Sequence, residues 1–104
     1  MKIDVRFRGL EPSDALRRYV VRRVRFAMDR FVGMVDDVVV RLADVNGPKG
    51  GADKRCQVTV HGREVGAIAI EAEGSDAYAV ADGAIHRAAR TTWRQRARQR
   101  RRAS

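Results

Sequence analysis

Cysteine, histidine and groups of potential catalytic residues are scarce in this chain of 104 residues. A single cysteine, Cys56, cannot form an internal disulfide, and it lies in a strand-like run, so we expect a reduced core thiol. The two histidines, His61 and His86, show no spacing to cysteine or carboxylate residues that is typical of zinc sites or activated nucleophiles. The sequence therefore predicts no enzyme activity, no metal, no cofactor and no small-molecule substrate.

Long apolar runs are also missing. No stretch approaches the 18 apolar residues of a membrane span, and residues 1–5 contain no apolar signal core. We therefore expect a soluble, cytoplasmic protein with no membrane partner. The length and the apolar content of 44% suit one domain with a modest core, which we place at residues 1–98, followed by a basic C-terminal tail at 99–104.

Acidic residues are absent from the end of the chain. Residues 86–104 contain eight arginines and no Asp or Glu, whereas residues 1–85 contain 14 basic and 13 acidic side chains. Most of the net charge of +9 is therefore local, and 19 of the 22 basic residues are arginine, which favours bidentate phosphate contacts. A helix that is merely solvated usually mixes both signs of charge. The pattern predicts a surface that binds a polyanion.

The first third of the chain predicts a strand and a basic helix. Ile3, Val5 and Phe7 alternate with polar residues, as in a strand with one buried face. Ser13 is a suitable N-cap for a helix that runs to about Phe31 and is closed by Gly33. The predicted buried side of this helix contains Leu16, Tyr19, Val20, Val24, Ala27 and Phe31, and the opposite side contains Arg18, Arg22, Arg25 and Asp29.

Three further strands are predicted at 36–45, 55–61 and 65–73, with a hairpin turn at 61–64. Gly74 breaks the last strand, and Ser75 is the expected N-cap of a final helix over 76–102, whose last residues, 100–102, are expected to fray. The order is β-α-β-β-β-α, which is an α+β fold. The inward side chains of the three strands are Val38, Val40, Leu42, Cys56, Val58, Val60, Ile68, Ile70 and Ala72.

The final helix has one apolar and one basic side. The apolar side contains Tyr78, Ala81, Ile85, Ala88, Ala89 and Thr92, and the opposite side contains Arg87, Arg90, Arg94 and Arg98. Trp93 lies between them. Packing against the rim of the sheet is the commoner fate of such a residue, and stacking on an exposed RNA base is the alternative.

The glycine-rich stretch at 44–53 predicts a loop. It lacks the terminal glutamate of a calcium loop and the Gly-Lys-Ser/Thr of a phosphate loop. A plain flexible connection is one reading of this stretch, and an auxiliary RNA contact through Lys49 and Lys54 is the other.

Two stretches resemble the ribosome hibernation promoting factor and ribosome-associated inhibitor family. They are Ala15-Leu-Arg-Arg-Tyr-Val20 and the Glu73-Gly-Ser-Asp-Ala-Tyr-Ala-Val-Ala-Asp-Gly-Ala-Ile85 run, and the resemblance extends over residues 1–98. It implies a fold similar to double-stranded-RNA-binding domains, a four-stranded sheet with both helices on one face. It also implies binding to 16S-type rRNA of the small subunit and of the whole ribosome, in the mRNA and tRNA channel, where the domain would inhibit translation.

The resemblance also implies which arginines contact rRNA: Arg22, Arg23 and Arg25 in the first helix, and Arg87, Arg90, Arg94 and Arg96 in the second. Arg18 and Arg98 join this set from the helical wheels. Long family members pair ribosomes through an additional C-terminal domain. This chain ends at Ser104, so we expect it to be monomeric when free and not to form that bridge by itself.

Two alternatives to ribosome binding remain open on the sequence. A general structured-RNA- or DNA-binding domain would bind arbitrary structured RNA with comparable affinity. A regulatory protein that binds an acidic protein partner would not bind nucleic acid.

Overall fold

The computed structural model describes residues 1–45 and 53–103 and has the predicted α+β architecture. Four strands form one sheet in the order β1-β2-β3-β4, in which β1 pairs with β2 in parallel and the other neighbours are antiparallel. The elements are β1 Lys2–Arg8, α1 Asp14–Met28, β2 Asp37–Asp44, β3 Lys54–Gly62, β4 Gly66–Gly74 and α2 Ala77–Ala103. A single 3₁₀ turn, Asp29–Phe31, follows α1.

Both helices pack on the same face of the sheet. The alternation along each strand puts apolar side chains on this face, where α1 lies against β1 and α2 lies against β3 and β4. One continuous core results. Its fully buried strand residues are Val38, Val40, Cys56, Val58 and Val60, and its fully buried helical residues include Val20, Val24, Met28, Ala81, Ala84 and Ala88.

The helix boundaries differ from the predictions in detail. Ser13 does cap α1, because its Oγ accepts a hydrogen bond from Leu16 N at 3.2 Å. However, α1 ends at Met28 and tightens into the 3₁₀ turn before Gly33 is reached, so Gly33 does not close the helix. At α2 the cap is Asp76 rather than Ser75, since Asp76 Oδ1 accepts from the backbone N–H of Tyr78 at 2.9 Å.

The end of α2 corrects the prediction of a frayed tail at 100–102, because the helix continues to Ala103. Its 27 residues span about 40 Å, and the nine residues of β4 span about 30 Å. The last buried side chain of α2 is Thr92, whose hydroxyl donates to Ala88 O at 2.8 Å. Residues 93–102 therefore contribute no buried side chain to the core, and this part of the helix carries arginines into solvent.

The β3–β4 connection is a three-residue turn at 63–65, slightly later than predicted. Val65 was predicted to open the last strand, but it lies in this turn and is buried (3% exposed). The predicted loop at 44–53 falls mostly outside the described residues. Its described end is held to β2, because Val45 N donates to Asp53 O at 2.9 Å.

Cys56 provides a test of the core. Burial raises the pKa of its thiol from 9.0 to about 12, so at pH 9 the folded protein should be alkylated about 500-fold more slowly than the unfolded chain, which is half ionised at this pH. Because the unfolded state loses this proton first, this thiol should lower the stability of the fold as the pH rises above 9.0. Alkylation by iodoacetamide, followed by mass spectrometry with and without urea, measures the first effect. Similar rates in the two states would show that β3 opens readily to water.

Candidate nucleic-acid interface

A polar network joins the two helices. Asp82 of α2 accepts a hydrogen bond from the Tyr19 hydroxyl at 2.7 Å and from Arg23 Nε at 3.1 Å. The rings of Tyr19 and Tyr78 also meet edge to face, with their centroids 4.9 Å apart. The hydrogen bond to the Asp82 carboxylate, followed by partial burial, raises the pKa of the Tyr19 phenol, so Tyr19 stays a donor at neutral pH. This network sets the position of α1 against α2.

The contacts around this network also give a structural role to the polar and aromatic residues of the sequence run near Tyr78 and Asp82. Asp76 caps α2, Tyr78 packs on Tyr19, and Asp82 binds both Tyr19 and Arg23. Tyr78 was predicted to lie on the buried side of the helix, but it is 40% exposed, and its ring packs against Tyr19 of the other helix. Asp76, Tyr78 and Asp82 therefore align the helices and are not themselves basic.

A groove of about 590 Å³ lies between the second half of α1 and the middle of α2. The apolar residues along it include the buried Phe31 and Ile85 and the half-buried Ala27 and Ala89. Its polar lining comes from both helices and the 3₁₀ turn: Arg23, Asp29, Arg30, His86, Arg90 and Arg94. The groove therefore combines an apolar interior with guanidinium groups and only one carboxylate.

Six of the nine predicted arginines fall into two groups. Arg23, Arg90 and Arg94 meet in the groove, whereas Arg18, Arg22 and Arg25 are exposed on α1 outside it. Arg30, which the sequence analysis did not assign to the site, joins the groove from the 3₁₀ turn. Its guanidinium lies over the Phe31 ring, 5.7 Å from the centroid, so it has an apolar support as well as a charge.

The other three arginines predicted as contacts on α2 lie close to other groups of the protein itself or are partly enclosed by it. Arg87 Nη1 donates to the backbone oxygen of Glu71 on the edge strand β4 at 2.8 Å. Arg98 Nη1 is 3.4 Å from Gln95 Oε1. Arg96 is half-buried, and its enclosed Nε has no hydrogen-bond partner among residues 1–45 and 53–103. Arg87 in particular ties α2 to the sheet edge, which is a structural use that the helical wheel could not indicate.

The two lysines of the proposed auxiliary contact have different outcomes. Lys49 lies outside the described residues. The Lys54 ammonium is paired with Asp53 at 3.0 Å and Asp44 at 3.3 Å, and its hydrogen bond to Asp53 is the main cause of its raised pKa. Lys54 therefore forms ion pairs with two carboxylates at the base of the loop.

Two aromatic residues line the groove and remain largely in solvent. Trp93 is 52% exposed and lines the groove beside residues of both helices. The first of the two predictions for this residue, packing against the rim of the sheet, is therefore wrong. Phe26 is 80% exposed and was missed by the sequence analysis. The available signal was its position: Phe26 follows Arg25 and lies off the apolar stripe of α1, where burial cannot explain a phenylalanine.

The opposite face of the sheet has a balanced charge pattern. Arg6 pairs with Asp4 at 2.8 Å, and Arg55 pairs with Glu73 at 2.6 Å. That ion pair also raises the pKa of the Arg55 guanidinium. Opposite charges on neighbouring strands are typical of a solvated face. The unbalanced positive charge is therefore on the helical side of the molecule.

Over the ranges 1–45 and 53–103, no three His, Cys, Asp or Glu side chains come together as a metal-binding group. Within the same described part of the chain, neither helix is long and apolar enough to span a bilayer.

Comparison with known proteins places this geometry among ribosomal factors. The profile of the family described as sigma 54 modulation protein / S30EA ribosomal protein matches residues 3–100. The crystal structure of the Protein Y N-terminal domain from Thermus thermophilus is similar, with 28% identity and a TM-score of 0.74, over 90% of this chain and 98% of that one. A ribosomal subunit interface protein from Coxiella burnetii shares the fold at 19% identity, with a TM-score of 0.75 over 93% and 99% of the two chains. No curated protein sequence matches.

Proposed function

Because this chain belongs to the sigma 54 modulation protein / S30EA ribosomal protein family, we propose that it is a ribosome hibernation factor of the small subunit. In this proposal the helical side of the domain binds 16S-type rRNA in the mRNA and tRNA channel. Bound there, the domain blocks translation because it occupies the space that mRNA and tRNA need. No catalytic step is involved.

The observation that carries the proposal is the meeting of arginines from two helices. Arg23 from α1 and Arg90 and Arg94 from α2 line one groove, although Arg23 precedes Arg90 by 67 positions in the chain. Arg18, Arg22 and Arg25 continue the positive charge along the exposed side of α1. A surface of this kind suits a folded polyanion, because its charges face phosphates from two directions.

Shape and charge together provide the mechanism. The domain measures 53 × 22 × 16 Å, since α2 extends beyond the core, and such an elongated body can fill a channel. Arginines that neutralise phosphates release counterions, and each contact adds roughly 0.7 to 0.9 to the slope of log affinity against log salt. Phosphate contacts do not read sequence, so selectivity should come from the match between this surface and a folded rRNA channel.

The test is sedimentation of the protein with purified small subunits, large subunits and whole ribosomes, with and without excess tRNA and mRNA. We expect the protein to comigrate with small subunits and whole ribosomes, and tRNA with mRNA to displace it. Comigration with large subunits only, or binding that tRNA does not reduce, would contradict the channel site. Equal affinity for unrelated structured RNA of similar length would instead support a general RNA-binding domain.

A further inference from the structure

The exposed aromatic rings of the groove have no internal role. Phe26 is 80% exposed and Trp93 is 52% exposed. In contrast, Phe31, which follows Phe26 closely in the chain, is only 1% exposed. An exposed aromatic ring keeps a large apolar area in water, where it does not help to stabilise the fold. Both rings line the same groove, although one belongs to α1 and the other to α2. This placement points to a ligand that packs against aromatic surfaces.

The arginines beside the rings are available for a charged ligand. Arg23 is paired with Asp82, and Arg30 lies over Phe31. Arg90 and Arg94, in contrast, have no hydrogen bond or ion pair within the ranges 1–45 and 53–103. Asp29, the one carboxylate that lines the groove among the described residues, lies in the 3₁₀ turn after α1 and makes no ion pair with either arginine. The groove thus offers two unpaired guanidiniums next to two aromatic rings.

A nucleotide with an unpaired base combines the two chemistries that this groove offers. Its base has a flat π-face that stacks on aromatic side chains, and its phosphates accept bidentate hydrogen bonds from arginine. A base inside a duplex is already stacked on both sides and cannot reach such a groove. An acidic peptide would use the arginines and leave both rings in water.

We propose that the groove between α1 and α2 holds one unpaired nucleotide of the bound RNA. Its base packs against Phe26 and Trp93, and its phosphates bind Arg90 and Arg94. This inference rests on the proposed function and adds a stacking contact to the phosphate contacts. The consequence is a preference for a site where the RNA exposes a base, which arginines alone do not supply.

Trp93 reports on this contact directly, because it is the only tryptophan of the chain. A single-stranded RNA of mixed sequence should quench its fluorescence at low salt, whereas a duplex of matched length and composition should bind with little quenching. A polyglutamate peptide should leave the emission unchanged. Equal quenching by duplex and single strand, or quenching by the peptide alone, would overturn the proposal.

Substitutions provide the second arm of the test. Phe26→Ala and Trp93→Ala should each weaken binding to small subunits by about 5- to 150-fold, and Trp93→Phe should restore most of the affinity. Val32→Ala is the matched control, because Val32 is 55% exposed and does not line the groove. Since all three side chains are exposed, the thermal unfolding curves should stay close to that of the original protein.

The two proposals fail in different ways. If Phe26→Ala and Trp93→Ala bind small subunits as tightly as the original protein, the nucleotide site is wrong and the proposed function stands. If the original protein does not sediment with small subunits, the proposed function is wrong. Quenching of Trp93 by unpaired RNA and not by duplex would then still support the nucleotide site.

Discussion

Arg90→Glu combined with Arg94→Glu is expected to weaken binding to the small ribosomal subunit by roughly 100- to 10,000-fold. Hydrogen bonds to charged groups contribute about 1.5 to 3 kcal/mol each, and about 1.4 kcal/mol corresponds to a tenfold change in affinity. The introduced carboxylates would in addition repel the phosphates. Both side chains are exposed on α2, so the fold should be unchanged. Sedimentation with purified subunits measures the loss, and circular dichroism checks the fold.

The matched control is Arg8→Glu combined with Arg41→Glu. Arg8 alternates with the half-buried Phe7, and Arg41 alternates with the buried Val40 and Leu42, so both arginines lie on the sheet face opposite the helices. The change in net charge is identical, so a purely long-range effect would weaken binding equally in both variants. Equal losses would contradict a binding surface on the helices. Arg87 is left unchanged in both variants. Because Arg87 donates a hydrogen bond to Glu71 O, its substitution would change the packing of α2 as well as RNA binding.

Gly62→Ala is expected to cause the largest loss of stability among the glycine-to-alanine substitutions of the described residues, because Gly62 has the tightest surroundings. A Cβ at this position would lie 2.0 Å from the backbone oxygen of Met34 and 3.0 Å from its carbonyl carbon. The obstacle is backbone, which cannot rotate away as a side chain can, so the end of β3 must shift. We expect the free energy of unfolding to fall by about 2 to 4 kcal/mol. Thermal unfolding should register this as a drop of roughly 10 to 25 °C.

Gly83→Ala is the control for that substitution, with an effect of opposite sign. Gly83 lies within α2, and apart from its chain neighbours and the backbone of the same helix turns, no heavy atom of the described residues lies within 4 Å of the position that its Cβ would take. Alanine in a helix interior is more stable than glycine by roughly 0.5 to 1 kcal/mol. A slightly higher melting temperature for Gly83→Ala beside a much lower one for Gly62→Ala would verify the close contact. A similar small change in both variants would contradict it.

Most of the fold was predictable because each element has a clear period. Residues two apart in the strands and three to four apart in the helices carry the apolar side chains, so element type and inward face follow from the sequence. The errors lie at the ends of elements, such as the cap of α2 and the turn at 63–65. Those ends depend on hydrogen bonds that several neighbouring residues could make equally well, and the sequence does not discriminate among them.

The positive charge of the site was predictable from the sequence, whereas several of the residues that line the groove were not. Arg90 and Arg94 were expected from the helical wheel, and both line the groove. Phe26 and Arg30 were missed because the first helix was read for its apolar and basic sides, and neither residue belongs clearly to one side. Trp93 had two candidate environments, and its exposure depends on where α1 lies, which a wheel of α2 alone does not contain.

The amino-acid sequence by itself determined the element order, the buried face of each element and the concentration of arginine at the end of the chain. These properties are local, because they depend on spacing along one helix or strand and on composition. Only the tertiary structure decided which arginines share a groove and which already have partners. The Tyr19–Asp82–Arg23 network sets α1 beside α2, and this placement brings Phe26 to the groove that Trp93 lines while Arg87 turns to the sheet edge. Such relations join residues about 60 positions apart, and they arise from packing and not from periodicity.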